Sequence, residues 1–77
     1  MAKEVIVYTQ PNCSACKTAM QFLSQNGISY VAKDISTDEQ ARSELVALGS
    51  QATPTIKVGS EVLIGFNPRK LAAALEI

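Results

Sequence analysis

The chain has 77 residues, 47% of them hydrophobic and 18% charged, with seven basic side chains balanced by seven acidic ones. That composition excludes a disordered chain, and without a basic block it excludes charge-driven binding to nucleic acid or a membrane surface. No apolar run approaches a membrane span, and the length fits one domain, residues 1–77, with a modest core.

The opening MAKEVIV lacks a long apolar stretch and a cleavage site, so no signal peptide is expected, and the expected compartment is the cytoplasm. Residues 4–9, EVIVYT, form a β-branched run that predicts a buried strand. Pro11 and Asn12 break it. Over residues 14–26 the apolar positions Cys16, Ala19, Met20 and Leu23 recur at helical spacing, and Gly27 stands where a left-handed stop is wanted. Residues 29–35, SYVAKDI, predict a second strand. Ser36 and Glu39 then have capping-box spacing, which predicts a helix to about Leu48 with Ala41, Leu45 and Leu48 inward and Gly49 as its stop. Residues 55–58 and 61–64 are strand-like around Gly59-Ser60, a two-residue hairpin signal. Asn67 suits an N-cap and Pro68 the first helical position of a helix reaching the C-terminus. The order is β-α-β-α-β-β-α. The first β-α-β unit predicts parallel strands joined by a right-handed crossover, and the hairpin makes the four-stranded sheet mixed. Helices on both faces give a three-layer α/β/α architecture.

The chemistry concentrates in TQPNCSACK, residues 9–17, which holds both cysteines. Cys13 falls at the start of the first helix, where unpaired N–H groups and the helix dipole favour a thiolate. Cys16 falls one turn later on the inward stripe and can reach back to Cys13. This pattern points to a dithiol in which Cys13 attacks a disulfide and Cys16 resolves the mixed disulfide. Metal is the competing reading. A closed zinc site takes four ligands, and the chain has no His and only these two Cys. The metal alternative is therefore an iron–sulfur cluster or metal held between two chains through Cys13. A structural disulfide across so short a loop stabilises little.

The segment from Tyr8 through Cys13, Cys16 and Lys17 resembles the active-site segment of the glutaredoxin family, within the thioredoxin superfamily. Thr53-Pro54 is similar to that family's cis-proline turn, and residues 65–71, GFNPRKL, resemble the C-terminal motif of the small NrdH-redoxins. The resemblance covers nearly the whole chain. It implies a thioredoxin fold and a redox-active Cys13–Cys16 disulfide, with no tightly bound cofactor and no metal. It also implies a monomer that reduces disulfide-containing protein substrates. Thr53 and a cis Pro54 would lie beside Cys13, with Thr53 offering its backbone to an extended partner. Gly65 and Phe66 are further candidate substrate contacts, with a plain core role the alternative for Phe66.

Several positions depart from the glutathione-using members. Those carry Pro-Tyr between the cysteines, a Lys before the first, and acidic residues after a late Gly-Gly. Here the positions read Ser14-Ala15, Gln10 and Asn12, and Gly65-Phe66-Asn67-Pro68. The departures weigh against glutathione as reductant and bring in a reductase of the thioredoxin-reductase type. Lys17 is a candidate for favouring the thiolate of Cys13. Arg69 and Lys70, in the first turn of the last helix, oppose its dipole and suggest a partner contact. Tyr8 is expected to pack, with Cys16 as one partner and a gating role as the alternative. With no His, proton transfer falls to water, a thiol or another side chain.

Overall fold

A computed structural model describes residues 4–77; residues 1–3, the start of the MAKEVIV stretch, lie outside the described residues. The elements are β1 (Val5–Thr9), α1 (Ser14–Gln25), β2 (Val31–Asp34), α2 (Glu39–Ala47), β3 (Thr55–Val58), β4 (Glu61–Ile64) and α3 (Pro68–Leu75). They form one sheet in the order β2-β1-β3-β4. β1 runs parallel to β2 and antiparallel to β3, and β3 is antiparallel to β4. The expected order and mixed sheet are both present.

The central strand β1 explains the layering. Successive side chains of a strand point to opposite faces. Val5 and Val7 join Ala19 and Leu23 of α1, Ile56 and Val58 of β3, and Leu71 and Ala74 of α3. Ile6 and Tyr8 join Ala41 and Leu45 of α2. The continuous apolar run of β1 is thus buried on both sides, α1 and α3 covering one face and α2 the other.

The two glycine stops hold. Gly27 and Gly49 have φ of +68° and +83°, and a Cβ at either would meet nothing within 4 Å. The requirement is therefore conformational rather than spatial.

Several element boundaries differ from the sequence reading. The N-cap of α2 is Asp38, not Ser36: its carboxylate accepts the Ala41 amide at 3.2 Å. Ser36 instead turns the chain out of β2, giving its amide (2.8 Å) and hydroxyl (2.6 Å) to the Asp34 carboxylate. Those two bonds hold the Asp34 carboxyl below its usual range. Second, β2 starts at Val31 rather than Ser29, because its pairing with β1 begins at Ile6 and Val31; Ile28 and Tyr30, just before it, pack against the core. It ends at Asp34 because its partner β1 ends at Thr9. Third, α3 stops at Leu75, with Glu76 in the left-handed region. No helix among the described residues is long and apolar enough to cross a membrane.

Candidate active site

The register sets where the site lies. Tyr8 pairs with Thr55, and Thr55 with Ile64. The end of β1, the start of β3 and the end of β4 therefore share one margin of the sheet. The loops leaving that margin carry the cysteines, Thr53-Pro54 and Gly65-Phe66.

Between β1 and α1 the chain turns at Pro11 and Asn12. Asn12 has φ +62°, the left-handed region that Asn tolerates better than most side chains. In the sequence Asn12 reads as a strand breaker and as a departure from the family's Lys; an Asn next to a helix start is also a signal for this turn. The turn delivers Cys13 as the N-cap of α1, in extended conformation. Its Sγ accepts the amide of Cys16 at 3.1 Å, filling the role that a Ser or Asp oxygen takes at other caps. The Cys13 carbonyl accepts the Lys17 amide at 3.2 Å.

Cys13 is half-buried, whereas Cys16 is fully buried one turn into the helix. The two are joined as a disulfide, with their Cα atoms 5.2 Å apart. Ser14 and Ala15 between them are exposed.

Thr53 reaches the same sulfur from the far side of the sequence. Its hydroxyl donates toward Cys13 Sγ at 3.8 Å. The Thr53–Pro54 peptide is cis, and Pro54 is buried. Among the described residues the N–H and C=O of Thr53 make no hydrogen bond. The Pro54 carbonyl accepts the Gly65 amide at 2.8 Å, which brings the 65–66 segment alongside. Phe66 packs on the core and meets Phe22 edge-on, with ring centroids 5.8 Å apart. The structure thus gathers Cys13, Cys16, Thr53, Pro54, Gly65 and Phe66 at one margin of the sheet.

Other singled-out residues fall elsewhere. Lys17 is exposed, and among the described residues its ammonium has no partner. Arg69 and Lys70 are exposed, their amides bonded to the Asn67 side chain at 3.1 and 3.2 Å. Tyr8 packs, but on the α2 face and not against Cys16. Strand alternation sends its ring away from α1. Its hydroxyl donates to Glu44 Oε1 at 3.0 Å, and the Lys33 ammonium donates to the same atom at 2.8 Å. The bond from Lys33, reinforced by Tyr8, lowers the Glu44 carboxyl from its usual value. The bond to Glu44 raises Lys33. Burial, then the Glu44 contact, raises the Tyr8 phenol.

An open pocket of about 590 Å³ lies beside the cysteine loop, lined by Gln10, Ile35, Ser36, Arg42, Leu45, Val46 and Gln51. Among the described residues no group of three or more His, Cys, Asp or Glu converges to hold a metal ion.

A parallel–antiparallel sheet with a CxxC at the N-cap of its first helix, facing a cis proline, defines a thioredoxin-fold dithiol protein. A glutaredoxin family model matches residues 5–63, and the chain belongs to the glutaredoxin family. Among curated relatives, a glutaredoxin-like 8.6 kDa protein in the rubredoxin operon of Clostridium pasteurianum is 27% identical over 71 residues, covering 91% of this chain and 95% of that one. The crystal structure of the thioredoxin-like protein BC3987 superposes with a TM-score of 0.90 at 37% identity, covering 94% of this chain and all of that one. The Escherichia coli NrdH-redoxin shares the fold, with a TM-score of 0.84 at 20% identity, covering 91% of this chain and 92% of that one. The family and the cysteine pair together give the chain a thiol–disulfide oxidoreductase role.

Proposed function

We propose that this chain is a cytoplasmic, monomeric electron carrier that reduces disulfides of protein substrates. The placement of Cys13 carries the reading. Its sulfur is the half-buried member of the pair and receives the Cys16 amide and the Thr53 hydroxyl. Both donors favour a thiolate over a thiol.

In the reduced protein the Cys13 thiolate attacks one sulfur of the substrate disulfide. A mixed disulfide forms and one substrate thiolate leaves. The Cys16 thiolate then attacks Cys13 Sγ, releasing the second substrate thiolate and leaving the Cys13–Cys16 disulfide. Two electrons have moved, and the leaving thiolates take their protons from solvent or from the Cys16 thiol. Thr53, with its unengaged backbone N–H and C=O, is suited to hold an extended substrate segment by strand-like bonds. Gly65 and Phe66 form the neighbouring wall.

A reductant must return two electrons. The exposed Ser14-Ala15 pair offers no aromatic ring, Gln10 no cation, and residues 65–68 no carboxylate. These features favour a flavoenzyme of the thioredoxin-reductase type over glutathione. The deciding comparison is reduction of the oxidised protein by NADPH with thioredoxin reductase against reduction by glutathione. For the dithiol scheme, Cys16→Ser should accumulate a mixed disulfide on Cys13, and Cys13→Ser should have no activity. Full disulfide reductase activity in Cys13→Ser would refute it.

A further inference from the structure

The loop between α2 and β3 carries Thr53, and two buried hydroxyls brace it. The Thr55 hydroxyl lies 2.7 Å from the Ala52 carbonyl oxygen and 2.8 Å from the Ser50 hydroxyl. The Ala52 amide lies 3.2 Å from Ser50 Oγ. Each hydroxyl has a single proton. A carbonyl can only accept, so Thr55 gives its proton to Ala52. Ser50 must then donate to Thr55, and Ser50 Oγ accepts the Ala52 amide. The three bonds close a ring, with a 3.5 Å approach of Ser50 Oγ to the Ala52 oxygen as its weaker diagonal.

Both hydroxyls are buried, Ser50 at 3% exposure and Thr55 at 0%. Neither can touch a substrate in this arrangement. Their effect falls on Ala52, whose N–H and C=O are both held, one residue before Thr53. The ring is anchored on two sides. The Ser50 amide bonds the Leu45 carbonyl of α2 at 3.2 Å. Thr55 pairs with Tyr8 of β1, the strand that leads into the Cys13 turn. Hydrogen bonds in a closed ring polarise one another, and each resists rotation of the others.

We propose that Ser50 and Thr55 are positioning residues for the thiol chemistry, their hydroxyl ring fixing Ala52 so that the Thr53 hydroxyl stays directed at Cys13 Sγ. This rests on the redox reading above. Packing alone could close the loop, because an apolar pair of similar shape can replace a buried hydroxyl pair at little cost. What such a pair would not do is set the rotation of the peptide groups that orient Thr53.

The test compares Thr55→Val, which keeps the branched shape without the hydroxyl, with Thr55→Ser, which keeps the hydroxyl. Small misplacements at a reacting centre cost about ten- to a hundredfold in rate. Thr55→Val should therefore lower kcat/KM for a protein disulfide about tenfold. It should also shift the ultraviolet titration of the reduced Cys13 thiolate to higher pH. Thr55→Ser should restore both. Val58→Ala, a core change at the far end of the same strand, should lower stability without moving the thiolate titration. If Thr55→Val fails to fold, Ser50→Ala reads the same two quantities. A Thr55→Val or Ser50→Ala protein that is less stable yet keeps the wild-type titration and kcat/KM overturns the proposal. Failure of the redox reading looks different: the wild type itself would reduce no disulfide, while the thiolate titration would still report on positioning.

Discussion

The Thr53 hydroxyl stands 3.8 Å from Cys13 Sγ, joining two residues 40 positions apart in the chain. A hydroxyl that donates to sulfur stabilises the thiolate more than the neutral thiol. Thr53→Val removes the donor and keeps the shape. The reduced variant should form its Cys13 thiolate at higher pH than the wild type, and should react more slowly with a model disulfide at neutral pH. Ultraviolet thiolate absorbance against pH measures the first effect. An unchanged titration would mean the hydroxyl does not act on the sulfur.

The cap of α2 offers a clean comparison. Asp38→Ala deletes the acceptor for the Ala41 amide and should cost about 1 kcal/mol, as N-cap deletions generally do. Ser36→Ala leaves the Ser36 amide bonded to Asp34 and should cost less. Urea unfolding of the two variants side by side decides which residue caps the helix.

Leu23 is fully buried between α1 and the sheet. Leu→Ala at such a position costs about 2–5 kcal/mol, while a chain this short has about 4–12 kcal/mol in all. Leu23→Ala should therefore show a sharply lower urea midpoint. A midpoint within error of the wild type would contradict the packing described for α1.

The Tyr8–Glu44–Lys33 cluster makes stability depend on pH at both extremes. Glu44 is lowered from 4.5 in the fold. Its contribution is present above that ordinary value and lost as pH falls through the lowered one. Lys33 and Tyr8 are raised above 10.5 and 10.0. Their contributions are full below those ordinary values and lost as pH rises through the raised ones. The stability difference between wild type and Glu44→Gln should therefore be flat from about pH 6 to 9 and shrink on either side. A difference that stays constant down to about pH 3 would show that the carboxylate charge contributes nothing.

Much of this fold was legible because its signals are local. The βαβαββα order follows from apolar periodicity, and the helix stops follow from Gly27 and Gly49, each of which acts within one turn. Asn67 and Pro68 start α3 as their residue types require, Asn67 accepting the Arg69 and Lys70 amides. The α2 cap misled because Ser36 and Asp38 both satisfy a local cap pattern. The end of β1 settled the choice, since it stopped β2 at Asp34 and left Ser36 in the turn. Tyr8 misled because position in the chain places it near Cys16, while strand alternation turns its ring to the opposite face.

By itself the sequence determined the local frame: a dithiol at the start of a helix, with Cys13 at the cap and Cys16 on the inward stripe. Three relationships needed the folded chain. They are the meeting of Thr53 with Cys13, the bond from Gly65 to Pro54, and the Ser50–Ala52–Thr55 ring. Propensity and capping act over a few residues. The meeting of Thr53 with Cys13 and the bond from Gly65 to Pro54 are set by strand register, which aligns Tyr8, Thr55 and Ile64 at one margin of the sheet. The ring spans only six residues, yet it closes because α2 and β3 hold its two ends in place.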